Sequence, residues 1–151
     1  LADRGLQNVN DMGIGGTQQL AGVDVTMVNA VHSGSIIDDG RILYLGGAAG
    51  FILRAPAMPT MYFAGDTALF GDMKMIGELY HPQIAFLPIG DLYRMGPDTA
   101  AIAARWLGVR QVVPMHWGTF PVLTGTPEAL KEHLAGSSIE VLELKVGETA
   151  R

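Results

Sequence analysis

Met61-Tyr62-Phe63-Ala64-Gly65-Asp66-Thr67 is a short apolar run that stops abruptly at Gly-Asp-Thr. Runs of this kind bounded by turn residues read as buried strands, and a carboxylate at a strand's end lies where open α/β sheets place their chemistry. Asp66 is therefore the first candidate for a working residue. Two other strand-like runs end in histidine: Val23 to Val31 leads into His32-Ser33, and Gln111 to Met115 leads into His116-Trp117. Three strand ends thus offer His, Asp and His, the donor types of a zinc-like transition-metal site. Any one of them alone reads as a buried polar residue satisfied by its neighbours, or as a turn former.

Five segments then appear in order along the chain. They are Asn29-Ala30-Val31-His32-Ser33, the stretch from Tyr62 to Met73 containing Gly65-Asp66-Thr67, Phe86-Leu87-Pro88-Ile89-Gly90-Asp91, Met95-Gly96-Pro97, and the stretch from Val113 to Pro121 containing His116-Trp117-Gly118. Together they resemble the metal-dependent hydrolases of the metallo-β-lactamase fold, in the branch near ascorbate-6-phosphate lactonase. The resemblance runs nearly end to end, and it favours the ligand reading of the trio. One departure matters: members of that superfamily carry an early His-x-His-x-Asp-His segment supplying more than half of the metal ligands. No such segment occurs here, where the histidines are His32, His81, His116 and His133. The chain resembles the C-terminal two-thirds of such a hydrolase, and it opens on Leu1, as a processed or excised chain would.

Composition sets the outer bounds. At 151 residues the chain fits one domain, 1–151, able to bury a core. It is 48% hydrophobic and only 17% charged, which suits either an Ala- and Gly-rich protein or one part of a larger fold with an apolar face to cover. A net charge of −5 without any Lys/Arg run argues against nucleic acid and against a polybasic membrane patch. The absence of cysteine excludes disulfides and thiolate zinc sites and fits a reducing cytoplasm. No apolar stretch reaches the roughly 18 residues of a transmembrane helix, so a soluble cytoplasmic protein is the expectation.

In chain order, short strands are expected around Leu6 to Val9 and Thr17 to Leu20, with Gly13-Ile14-Gly15-Gly16 as a hairpin turn, since no helical pattern follows it to make a phosphate loop. Val23 to Val31 is a strand, and Ser33 to Gly50 a glycine-rich loop read as a flap beside the site. Phe51 to Arg54 and Thr60 to Gly65 form an antiparallel pair. A helix over Asp72 to Tyr80, with Met73, Ile76, Leu79 and Tyr80 on one face, ends at His81-Pro82. Ile84 to Ile89 is a strand closing in Gly90-Asp91; Pro97 to Leu107 is a helix with proline in its first turn. Gln111 to Met115 is a strand, Pro127 to Leu134 a helix capped by Thr126 with His133 facing solvent, and Ile139 to Val146 a closing strand.

The pattern predicts an α/β fold (α+β by some schemes) with one layer of helices against a sheet. The resemblance implies the C-terminal part of an αββα sandwich. It also implies two divalent metal ions, zinc foremost with manganese, iron or nickel as alternatives. Asp66 would bridge them, His32 would complete one coordination sphere and His116 the other, with Asp66 and His116 as the catalytic pair. Asp91 resembles the family's Gly-Asp and is read either as orienting a ligand histidine or as supporting its loop. Tyr93 and an exposed Arg94 lie on the same loop, where Arg94 is a candidate anchor for a substrate phosphate or carboxylate. Trp117 is expected to line the pocket. The activity implied is hydrolysis of a small-molecule ester, lactone or phosphoester, completed by an N-terminal polypeptide carrying the remaining ligands. The alternative is a non-catalytic binding or scaffolding chain; homo-oligomerisation stays open.

Overall fold

The computed structural model of the protein describes residues 5–149, so Leu1 and its neighbours lie outside the described residues. Along the chain run β1 (Thr17–Leu20), β2 (Val23–Asn29), β3 (Ser35–Asp38), β4 (Arg41–Tyr44), β5 (Ala49–Arg54), β6 (Met61–Phe63), α1 (Met73–Tyr80), β7 (Ile84–Pro88), α2 (Pro97–Leu107), β8 (Gln111–Met115), α3 (Pro127–His133) and β9 (Glu140–Val141). A seven-stranded sheet has the order β1-β2-β5-β6-β7-β8-β9, and β3-β4 is a separate hairpin. Strands β1, β2, β5 and β6 pair antiparallel in succession, whereas β6, β7, β8 and β9 are parallel. The parallel half follows from its crossovers, because α1 and α2 separate β6, β7 and β8 and return each strand in the same direction.

Register sorts the residues onto two faces. One face carries Thr26, Ile52, Tyr62, Ala85 and Val112 side by side, all buried beneath the helices. Ala100, Ala101, Ala103, Ala104 and Leu107 of α2 complete this core with Met73 and Ile76 of α1. The small alanines let α2 lie close to the strands. On the other face, Met27, Phe51, Phe63, Phe86 and Val113 form one row and Val25, Leu53, Met61, Ile84 and Gln111 the next. The helices do not cover this face, and Phe63 is 40% exposed.

The expected α2 and β8 match residue for residue, and Thr126 caps α3 by accepting from the Ala129 amide at 3.2 Å. Several expectations fail locally. Leu6 to Val9 forms no strand. Gly13 to Gly16 makes a turn, with the Gly16 amide on the Gly13 carbonyl, but it precedes β1; the hairpin turn is Ala21-Gly22, both at positive φ. The supposed loop from Ser33 to Gly50 contains the β3–β4 hairpin, closed by Asp39 (φ 49°) and Gly40 (φ 72°). Two residues at positive φ are the geometry an Asp-Gly turn supplies. Leu79 points outward at 66% exposure. The buried face of α1 instead includes Gly77, where a Cβ would stand 2.6 Å from the Trp106 carbonyl oxygen, so α1 and α2 touch backbone to backbone. The closing strand shrinks to β9, extended by a Leu142 amide bond to the Val112 carbonyl.

Candidate metal centre

Because β2, β6, β7 and β8 all run the same way, their carboxyl ends share one edge of the sheet. His32, Asp66, Gly90-Asp91 and His116 follow these strands in that spatial order. The sequence therefore gathers its polar residues by strand direction.

Asp66 is the centre of the cluster. Its Oδ1 lies 2.6 Å from Arg94 Nε and its Oδ2 lies 3.3 Å from His116 Nε2. Gly90, at the end of the intervening β7, makes this approach possible: a Cβ there would stand 2.3 Å from the His116 carbonyl oxygen and 3.4 Å from Arg94 Nη1. His116 itself holds a left-handed conformation at φ 57°, which turns the chain away from β8. The Arg94 contact is a close charge pair whose N–H does not point along it. Asp66 Oδ1 and Arg94 Nε and Nη1 are accordingly buried without an aligned hydrogen-bond partner. Contrary to the expectation of an exposed arginine, the Arg94 side chain is only 7% exposed, while those of Asp66 and His116 are 37% and 39% exposed.

Thr67, fully buried, ties the segments together. Its hydroxyl accepts from the Val31 amide at 2.9 Å and donates to the Ala68 carbonyl at 2.8 Å. The Ala68 amide returns to the Val31 carbonyl at 2.9 Å, and the Met95 amide donates to the Thr67 carbonyl at 3.2 Å. One residue thus fixes the chain next to Asp66, next to His32 and next to Arg94. Its place directly after Asp66 is the only sequence signal for this role, and Gly90 stands out in the sequence only as the residue before Asp91 in the Gly90-Asp91 strand end.

The other expected residues are placed less centrally. His32 lies half-buried at its strand end, with Nδ1 near the Ser33 carbonyl (3.1 Å) and hydroxyl (3.3 Å). Asp91, at φ 65°, turns its carboxyl group toward the start of α2, where a Cβ on Gly96 would meet its Cγ at 3.4 Å. That position suits a negative charge at a helix N-terminus. Tyr93 is 63% exposed, its ring centroid 6.0 Å from Arg94 Cζ. Trp117 donates its indole N–H to the Pro114 carbonyl at 3.3 Å and packs against the core.

The donors fit a metal ion in kind: a carboxylate and an imidazole converge, and Asp66 Oδ1 is buried without an aligned donor. They fall short in number, since among the described residues no three His, Asp or Glu side chains gather closely enough to hold an ion. Zinc sites take three or four protein ligands.

Comparison with known proteins shows the family and the fold. A family model described as a beta-lactamase superfamily domain matches residues 2–117. A UPF0173 metal-dependent hydrolase of Solibacter usitatus is 50% identical over 147 residues, covering 97% of this chain and 64% of that protein. The UPF0173 metal-dependent hydrolase YtkL of Bacillus subtilis is 47% identical over 144 residues, with 94% and 62% covered. Among solved structures, Igni18, a metallo hydrolase from Ignicoccus hospitalis, superposes with a TM-score of 0.83 at 34% identity, over 99% of this chain and 62% of that one. The chain thus spans under two-thirds of the length of these relatives. An isothiocyanate hydrolase from Delia radicum gut bacteria, at TM-score 0.73 and 21% identity, shares the fold.

Proposed function

The chain belongs to the beta-lactamase superfamily domain family, and on that premise we propose that it is the C-terminal part of a metal-dependent hydrolase acting on a small ester, lactone or phosphoester. The observation that carries this reading is the convergence of Asp66 and His116, with a 3.3 Å contact, at the edge where parallel strands end. Asp66, His116 and His32 would hold a pair of divalent ions, zinc foremost. Such ions supply Lewis acidity and a hydroxide available near neutral pH. The chain's own residues do the positioning. Asp66 offers two oxygens, so it can serve two neighbours; Thr67 and Gly90 set the backbone from which Asp66, His32 and His116 project. Trp117, fixed by its bond to Pro114, forms part of the wall beside His116.

The shortfall in ligands supports a second element of the proposal, a complementary N-terminal segment that brings the missing donors. Its seat is the uncovered sheet face with the row Met27, Phe51, Phe63, Phe86 and Val113. The chain exposes 9528 Å², whereas surface scaling gives about 7,400 Å² for a monomer of its mass. The excess, about 2,100 Å², is larger than the roughly 800 Å² a standard interface removes from one partner, and the exposed β3–β4 hairpin contributes to it along with the sheet face.

The test is to prepare this chain alone and together with the complementary segment of a relative, then measure bound metal and hydrolysis of an ester, lactone and phosphoester panel. Little metal and no hydrolysis alone, with both restored in the pair, is the expected result. Full activity from this chain by itself would overturn the two-part reading. A second reading, a binding or scaffolding chain without catalysis, draws on the Arg94 contact that already neutralises Asp66; it predicts a paired complex that still hydrolyses nothing.

A further inference from the structure

The β3–β4 hairpin takes no part in the seven-stranded sheet. A two-stranded hairpin is marginal in water by itself, and three or more strands are needed for independent stability. Its surface is also strongly apolar: Ile37, Ile42 and Tyr44, which share one face, are each 77% exposed, and Leu45 beyond them is 64% exposed. A monomer rarely leaves so much contiguous apolar surface uncovered. The register fixes which backbone groups face outward. The Leu45 amide donates to the Gly34 carbonyl at 2.7 Å, so Gly34 and Leu45 form a hydrogen-bonded pair. Bonded and unbonded pairs alternate along an antiparallel ladder. Ile36–Leu43 is therefore bonded, whereas Ser35–Tyr44 and Ile37–Ile42 are not. Ile42 and Tyr44 consequently turn their N–H and C=O groups away from β3, onto an edge that pairs with no other strand among the described residues. Edges that avoid pairing carry Pro, Lys or a bulge; Ile42-Leu43-Tyr44 has none of these.

We propose that β4 is a self-association edge, on which the hairpin of a second copy of this chain docks. A two-fold axis at Leu43 sets Ile42 of each copy opposite Tyr44 of the other, where the outward N–H and C=O groups satisfy one another. The two-stranded hairpins of both copies then form a single four-stranded antiparallel sheet, which is large enough to be stable. Each Ile42–Tyr44 contact is an aromatic–β-branched cross-strand pair, a favoured combination. Leu43 meets its own copy across the axis, and Arg41 falls opposite Leu45, so no like charges face each other. The β3 edge fits less well, because the same operation would set Ser35 against Ile37. The area agrees with a second contact. The chain exposes about 2,100 Å² more than a monomer of its mass, against the roughly 800 Å² that each partner gives to a standard interface. The sheet face and the hairpin together therefore provide room for two separate contacts.

The experiment uses the full chain, which has no cysteine of its own. Sedimentation equilibrium should show a monomer–dimer equilibrium. Ile42→Lys, at an exposed position, should weaken the dimer about ten-fold or more, because the symmetry applies the change twice. Leu43→Cys gives a direct geometric readout. The Cα atoms of an unbonded antiparallel pair stand about 4.5 Å apart, within disulfide reach, so mild oxidation should crosslink this variant rapidly. Ile37→Cys, about 14 Å from its copy across three strand spacings, should not crosslink. A chain that stays monomeric at every concentration overturns the proposal, and one that also floats with phosphatidylcholine vesicles assigns the hairpin to a lipid surface instead. A dimer indifferent to Ile42→Lys, in which Leu43→Cys crosslinks no faster than Ile37→Cys, overturns it in favour of association through the uncovered sheet face. Adding the complementary segment of a relative separates the remaining occupant. Dimerisation that persists in the pair upholds the proposal, whereas a segment that dissolves the dimer and shields Leu43→Cys from a thiol reagent overturns it.

Discussion

Replacing Thr67 by valine keeps the side chain's shape and deletes its hydroxyl, which isolates the clamp joining the ends of β2 and β6. Two hydrogen bonds are lost, from the Val31 amide (2.9 Å) and to the Ala68 carbonyl (2.8 Å), at a side chain with no exposure. A buried partner left unsatisfied costs about 1–3 kcal/mol. Val31 is 45% exposed, so water can recover part of its loss; the sum is about 2 kcal/mol, or about 4–8 °C in Tm for a chain of this length. Urea unfolding at constant slope gives the stability, and amide exchange at Val31 reports the clamp directly. Thr67→Ser, which keeps the oxygen, should retain most of the protection. A Thr67→Val protein within about 0.5 kcal/mol of wild type, below the ordinary net worth of one hydrogen bond, and with Val31 still protected, would refute the argument.

Gly90→Ala drives a Cβ into the His116 carbonyl oxygen, so the backbone there must give way; a loss of about 1–3 kcal/mol, the ordinary cost of overpacking, is expected in urea unfolding. Gly77→Ala gains about 1 kcal/mol of helix propensity, but its Cβ meets the Trp106 and Leu107 carbonyl oxygens at 2.6 and 2.9 Å. Overpacking of that kind costs about 1–3 kcal/mol, and with backbone on both sides a net loss is expected in urea unfolding. Tyr62 is buried, its hydroxyl lacks a partner, and burial pushes its phenol well above the ordinary tyrosine range. Its folded pKa being the higher, stability is complete below about pH 10 and above it falls by about 1.4 kcal/mol per unit, as the unfolded chain sheds a proton the folded chain keeps. Tyr62→Phe should remove that alkaline slope at no cost at neutral pH, as urea midpoints between pH 9 and 11 would show.

The local patterns were legible in the sequence where one period dominated. Pro97 to Leu107 and Gln111 to Met115 match the structure because proline, alanine spacing and β-branched runs each admit one regular conformation. Asp66, His32 and His116 could be picked out because each stands where an apolar run stops. The β3–β4 hairpin was missed since its apolar residues remain exposed, Ile37 and Ile42 at 77% each, so no buried face wrote an alternation; Asp39-Gly40 was the available cue. Which histidine reaches Asp66, that Arg94 is enclosed rather than exposed, and that Thr67 clamps two strand ends were decided by tertiary structure. Those facts depend on strand order, on the shared direction of β2, β6 and β8, and on the missing Cβ at Gly90, all of which bring together residues tens of positions apart. A sequence records which groups stand at the ends of strands; only the folded sheet sets which of those ends come within bonding distance.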